Sequence, residues 1–91
     1  MTQKRKPQTR LVRAGLESDT QHGAVVPPIH LSATYAFAGL DQPRAYDYSR
    51  SGNPTRDLLG GALAELEGGA GAIVTATGMA AVTLALTLVK P

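Results

Sequence analysis

Tyr48 and Arg50 are the two side chains of this sequence best suited to holding an anion, and they stand two apart in the stretch DYSRSGNPTR, residues 47–56. A guanidinium offers a planar fork of N–H donors that matches a phosphate, and a tyrosine hydroxyl can donate one further bond. Residues two apart share a face of an extended strand, so the spacing predicts both donors aimed at one point just ahead of a turn. From residue types alone, the pair reads equally well as a surface arginine lying along a half-buried tyrosine. A second feature lies in AIVTATGMAA, residues 72–81, where Gly78 joins an apolar run to the start of a helix. The first turn of a helix leaves N–H groups unpaired at the positive end of its dipole, which favours an anion. A glycine there also serves the plain need for a positive φ at a tight junction. Neither G-x-x-x-x-G-K-[ST] nor G-x-G-x-x-G occurs in the chain. His22 and His30 have no partner at metal-ligand spacing, no Ser-His-Asp or paired-carboxylate arrangement can be argued, and there is no cysteine.

These groups must be positioned by the elements around them. Asn53 is a good N-cap and Pro54 suits the first helical position, where its missing N–H costs nothing. Leu58, Leu59, Ala62, Leu63 and Leu66 recur at helical spacing, and Gly68-Gly69 closes the pattern. Gly60-Gly61 inside this helix costs about 1 kcal/mol per glycine relative to alanine, and close packing against another element would account for it. Residues 70–77 read as a buried strand, and residues 79–89 as a helix apolar on nearly every face, interrupted only by Thr83 and Thr87.

The first half of the chain is different. TRLVRAGLES suggests a short helical turn ending near Gly15, Pro27-Pro28 favours an extended path, and LSATYAF, residues 31–37, reads as a strand or extended arm. AGLDQPRAY, residues 38–46, reads as loop. Residues 1–52 are thus expected to be a tail and an arm that packs on something else, and residues 53–91 the start of a larger domain. A helix apolar all round needs more partners than 91 residues supply, so the chain reads as the beginning of a larger α/β protein.

Charge is distributed unevenly. Lys4, Arg5, Lys6, Arg10 and Arg13 precede any acid, whereas from position 14 onward four basic residues face seven acidic ones, a net of −3. A basic tail can bind nucleic acid, but this one contains Pro7 and no interleaved aromatic, which favours a solvated leader and no nucleic-acid role. There is no apolar h-region for a secretory signal and no run long enough for a membrane span. A soluble, cytoplasmic protein is the expectation.

The string YDYSRSGNPTRDLLGGALAELEGGAGAIVTATGMAAVTLAL resembles the N-terminal part of the Cys/Met-metabolism family of pyridoxal-phosphate enzymes, and the likeness runs from about Thr9 to Pro91. The resemblance implies an α/β subunit of the fold type I, aspartate aminotransferase-like transferase class, with pyridoxal 5'-phosphate as cofactor. It implies that Tyr48 and Arg50 reach the cofactor phosphate of a neighbouring subunit, and that the Gly78 and Met79 amides hold the phosphate within their own. Asp47 falls where synthase-like members place an acid near the substrate. The arm would wrap a partner subunit in a homo-oligomer, a dimer of dimers acting on small amino-acid substrates. The family's cofactor-bonding lysine has no counterpart here, because Lys4, Lys6 and Lys90 lack its context, so no catalytic group is assigned. Within the family the chain looks most like the γ-replacing synthases, which exchange the acyl group of an activated homoserine for cysteine. Ser51 points the other way, since serine there is common among the γ-lyases. A non-catalytic product that only associates with full-length subunits is the alternative from another class.

Overall fold

The structure is a computed structural model that describes residues 5–90. Lys4 of the basic tail and the terminal Pro91 lie outside the described residues. Three helices occur among those described: α1, Pro7–Val12; α2, Pro54–Glu67; and α3, Gly78–Leu86.

α1 begins earlier than the sequence suggests, because Pro7 sits in its first turn, where a proline is pre-organised for a helix. The tail is therefore not wholly a solvated leader: α1 packs against α2, and the Arg10 Nη1 stands 3.7 Å from the Glu65 Oε1. An ion pair this exposed contributes at most about 1 kcal/mol.

α2 matches its predicted boundaries for local reasons. The Asn53 Oδ1 accepts from the Arg56 N–H at 3.0 Å, Pro54 follows, and Asp57 adds a carboxylate to the first turn, which suits the helix dipole. At the other end Gly68 has φ 68°, and its N–H donates to the Glu65 carbonyl while that of Gly69 donates to the Ala64 carbonyl. This pair of bonds is a Schellman closure, for which a residue without Cβ is favoured. Of the two internal glycines, Gly60 is buried where a Cβ would lie 3.4 Å from the Ala72 carbonyl oxygen, whereas one on Gly61 would meet nothing within 4 Å. Gly60 thus lies against residues 72–74 at the near edge of ordinary contact, where an alanine Cβ would still fit, and Gly61 faces open space, so close packing requires glycine at neither position.

Residues 70–77, expected as a buried strand, carry no regular secondary structure. A strand exists by pairing its backbone N–H and C=O groups with a neighbour, and none lies beside this segment among the described residues. α3 is also shorter than the expected 79–89. Beyond Leu86 the bonds tighten to three-residue closures, Thr87 to Leu84, Leu88 to Ala85 and Val89 to Leu86, and the Thr87 hydroxyl donates to the Leu84 carbonyl at 2.6 Å. A threonine that bonds back to its own helix competes with continuation of the ladder.

The arm is extended, as predicted, but paired only locally. Thr34 and Tyr48 form an antiparallel bridge, with the Tyr35 N–H on the Asp47 carbonyl at 3.0 Å and the Ser49 N–H on the Ala33 carbonyl at 2.8 Å. A second bridge, Gly39 with Gln42, closes a tight turn through the predicted loop. No hydrophobic side chain is fully buried among the described residues, and α3 is exposed along its length. The radius of gyration is 15.9 Å, against about 12 Å for a compact domain of this size. α3 and the arm thus leave their apolar side chains exposed among the described residues. No helix of the described residues is long and apolar enough to cross a membrane.

Candidate anion-binding site

Tyr48 and Arg50 do come together, although not by strand alternation. Tyr48 ends the bridge to Thr34 and also begins a turn, its carbonyl accepting from the Ser51 and Gly52 N–H groups, each at 3.0 Å. Arg50 therefore lies in the turn and not on an extended face, which corrects the spacing argument. The turn folds the guanidinium back over the ring: its Cζ stands 5.2 Å from the Tyr48 ring centroid, and the Nη2 donates to the Tyr48 Oη at 3.3 Å. A cation over an aromatic face is stabilised by the ring quadrupole. The other guanidinium donors of Arg50 have no protein partner among the described residues, and no carboxylate neutralises them there. Tyr48 remains 40% exposed. A charged fork with unclaimed donors, held beside a hydroxyl, fits an incoming phosphate.

The second donor set is the start of α3. The Thr77 Oγ1 accepts from the Ala80 N–H at 3.0 Å and the Thr77 carbonyl accepts from the Ala81 N–H at 3.2 Å. The amides of Gly78 and Met79, one turn too early for a ladder bond, have no partner among the described residues. Two free N–H groups at the positive end of the dipole make a short anion cradle. The two donor sets are not brought together: Tyr48 and Arg50 line an open groove with Ile29, Asn53, Arg56 and Val74, and neither Gly78 nor Met79 borders it. Asp47 enters the short ladder through its backbone carbonyl, and its carboxylate takes no hydrogen bond among the described residues.

The scaffold around the turn holds residues that the spacing argument left out. Asn53 caps α2 with its oxygen, and its Nδ2 donates to the His30 carbonyl at 3.2 Å and to the Tyr35 hydroxyl oxygen at 3.3 Å. The His30 N–H donates to the Thr55 Oγ1 at 2.8 Å. The Arg56 Nη2 donates to the Arg50 carbonyl at 3.4 Å, tying the helix to the turn. Tyr46 donates to the Asp57 Oδ2 at 2.8 Å and packs at 5.9 Å from the Tyr35 ring. That bond to a carboxylate raises the Tyr46 phenol above its ordinary value. Farther along the arm, Asp19 accepts from the N–H groups of Ala24, His22 and Gln21, and these bonds lower its carboxyl. The one sequence signal for the clip is asparagine at the cap. Serine or aspartate would cap as well, but aspartate brings no donor and serine only the hydroxyl that already caps, whereas asparagine adds a separate NH2 with two donors.

Residues 8–91 match the family described as Cys/Met metabolism PLP-dependent enzyme. Cystathionine gamma-synthase of Escherichia coli (strain K12) is 62% identical over 88 residues, which cover 96% of this chain and 23% of that protein. Cystathionine beta-lyase of Lactococcus lactis subsp. cremoris (strain MG1363) is 42% identical over 80 residues, 88% of this chain and 21% of that one. Among solved structures, cystathionine gamma synthase from Xanthomonas oryzae pv. oryzae, in complex with aminoacrylate and cysteine, superposes with a TM-score of 0.91 at 57% identity, covering 96% of this chain and 22% of that one. The chain thus spans less than a quarter of the length of these relatives.

Proposed function

The chain belongs to the Cys/Met metabolism family of PLP-dependent enzymes, and on that premise we propose that it is the arm and phosphate-binding entry of a cystathionine γ-synthase. The observation that carries this reading is 62% identity to the E. coli cystathionine gamma-synthase over 96% of the chain. On this reading the enzyme replaces the acyl group of O-succinylhomoserine by cysteine. It is cytoplasmic, with the α/β, fold type I architecture of its class.

Four of the chain's residues hold the phosphate of pyridoxal 5'-phosphate. Arg50 and Tyr48 supply a cation and a hydroxyl to the phosphate of a neighbouring subunit, which accords with their lying apart from the α3 cradle. The Gly78 and Met79 amides hold the phosphate within their own subunit, helped by the α3 dipole. Asp47, one residue ahead of the pair, faces the amino-acid substrate. When bound, the cofactor supplies an electron sink for carbanion chemistry; these residues bind and orient it. The exposed arm and α3 pack within a dimer of dimers, residues 1–52 forming the tail and intersubunit arm and 53–91 opening the cofactor domain. The cofactor-bonding lysine comes from elsewhere in the enzyme, so the 91-residue stretch alone is inactive.

Ser51 and the 42% identity to a β-lyase favour a second reading, a lyase of the same family. The full-length enzyme decides between them. O-succinylhomoserine plus cysteine yields cystathionine as the main activity under the first reading, and cystathionine breakdown as the main activity overturns it. The isolated stretch, given pyridoxal phosphate, is expected to develop no specific absorbance band.

A further inference from the structure

We infer that Asn53 is a positioning residue for the phosphate-binding turn, acting through its amide nitrogen as well as its capping oxygen. The inference rests on the phosphate role proposed for Arg50. One side chain here joins the start of α2 to two points of the arm, 23 and 18 residues earlier in the sequence. Its oxygen holds the Arg56 N–H at 3.0 Å; its nitrogen holds the His30 carbonyl at 3.2 Å and the Tyr35 hydroxyl at 3.3 Å. Thr55 adds a fourth tie, accepting from the His30 N–H at 2.8 Å. Tyr35 is in turn held by its own N–H to the Asp47 carbonyl, next to Tyr48.

The turn 48–52 is therefore braced on both sides. On one side stands the short ladder of residues 33–35 with 47–49, and on the other the α2 N-terminus. Between them, the Arg56 guanidinium reaches back to the Arg50 carbonyl at 3.4 Å. Asn53 links the ladder strand to the helix start, so it sets the distance across which the Arg50 turn is stretched. A cap alone needs only an acceptor, which serine provides equally well. The amide donor has a use only if the arm must be held in register with α2. Phosphate binding depends on that register, because a charged fork gains its strength from aligned geometry.

The test uses the full-length enzyme and equilibrium dialysis of its apo form against pyridoxal phosphate and, separately, against pyridoxal, which lacks the phosphate. Asn53→Ser keeps a capping oxygen and removes both arm bonds. It is expected to raise the dissociation constant for pyridoxal phosphate on the order of tenfold, the effect of losing two hydrogen bonds, and to leave that for pyridoxal unchanged. Thr55→Val, which removes one tie without touching the cap, is expected to shift the same constant about threefold, so the inference stays testable if Asn53→Ser does not fold. Unchanged phosphate-form binding in both variants overturns it, as does equal weakening for both ligands, which would mark a general loss of fold. Arg50→Ala run alongside separates the two claims. If that variant binds normally, the phosphate role itself falls; if it binds weakly while Asn53→Ser and Thr55→Val do not, only the positioning role falls.

Discussion

Replacing Arg50 by alanine in the full-length enzyme should weaken pyridoxal phosphate binding by about one to two orders of magnitude. The guanidinium is cationic and nearly unclaimed: one donor goes to the Tyr48 oxygen at 3.3 Å, and no carboxylate pairs with it among the described residues. Nothing in the free protein has to be broken before it takes a phosphate. A hydrogen bond to a charged group contributes about 1.5–3 kcal/mol, and each 1.4 kcal/mol is a factor of ten in affinity, so the loss of one such bond gives about 10- to 150-fold. Removing the neutral Tyr48 hydroxyl with Tyr48→Phe costs about 0.5–1.5 kcal/mol, a factor of roughly 2–12. That variant keeps the ring under the guanidinium at 5.2 Å, so Tyr48→Ala should be worse again by the cation–π contribution of about 0.5–1 kcal/mol. Arg50→Lys keeps the charge and loses the fork, and should fall between wild type and alanine. Dissociation constants from equilibrium dialysis of the apoenzyme, measured at low and high salt, give the order of the series. An Arg50→Ala constant within twofold of wild type would refute the assignment, and so would Tyr48→Phe exceeding Arg50→Ala in effect.

Three further outcomes follow from the same geometry. Thr77→Ala removes the acceptor that the Ala80 N–H uses at 3.0 Å and should lower apoenzyme stability by about 1 kcal/mol, with Thr77→Ser restoring it in urea melts. At α2, Gly61→Ala should stabilise by up to about 1 kcal/mol because its Cβ enters open space. Gly60→Val should instead destabilise by about 1–3 kcal/mol against the Ala72 carbonyl and Val74, and Gly61→Val should not; equal effects of valine at the two sites would contradict the packing described. The bond to Asp57 raises the Tyr46 phenol above its ordinary 10.0, so its stabilisation is fully present below pH 10.0 and is lost as pH rises through the folded-state value. The stability gap between wild type and Tyr46→Phe should hold up to that pH and close above it, and a gap that persists unchanged into stronger alkali would count against the bond.

Asn53-Pro54 and Gly68-Gly69 marked both ends of α2 correctly, because capping is chemistry between residues at most a few positions apart and needs no tertiary partner. Gly78 likewise announced the start of α3 and its free amides. Tyr48 and Arg50 were legible from their types as a candidate anion-binding pair, with an arginine lying along a tyrosine as the equal alternative. Their geometry was not: the ladder ahead of the turn is held by bonds with Ala33 and Tyr35, outside the local window, and the turn itself closes locally, by the Ser51 and Gly52 N–H groups on the Tyr48 carbonyl, where the two-residue spacing suggested continued strand. The run at 70–77 looked like a strand by composition, yet pairing is a relation between two segments, and composition describes only one. Gly60 and Gly61 are identical letters in a row, and only the approach of Ala72 and Val74 to one of them tells them apart. Asn53 shows the division within a single side chain. Its oxygen acts three residues away and was legible as a cap; its nitrogen acts 23 and 18 residues away, where only the path of the folded arm decides what it meets.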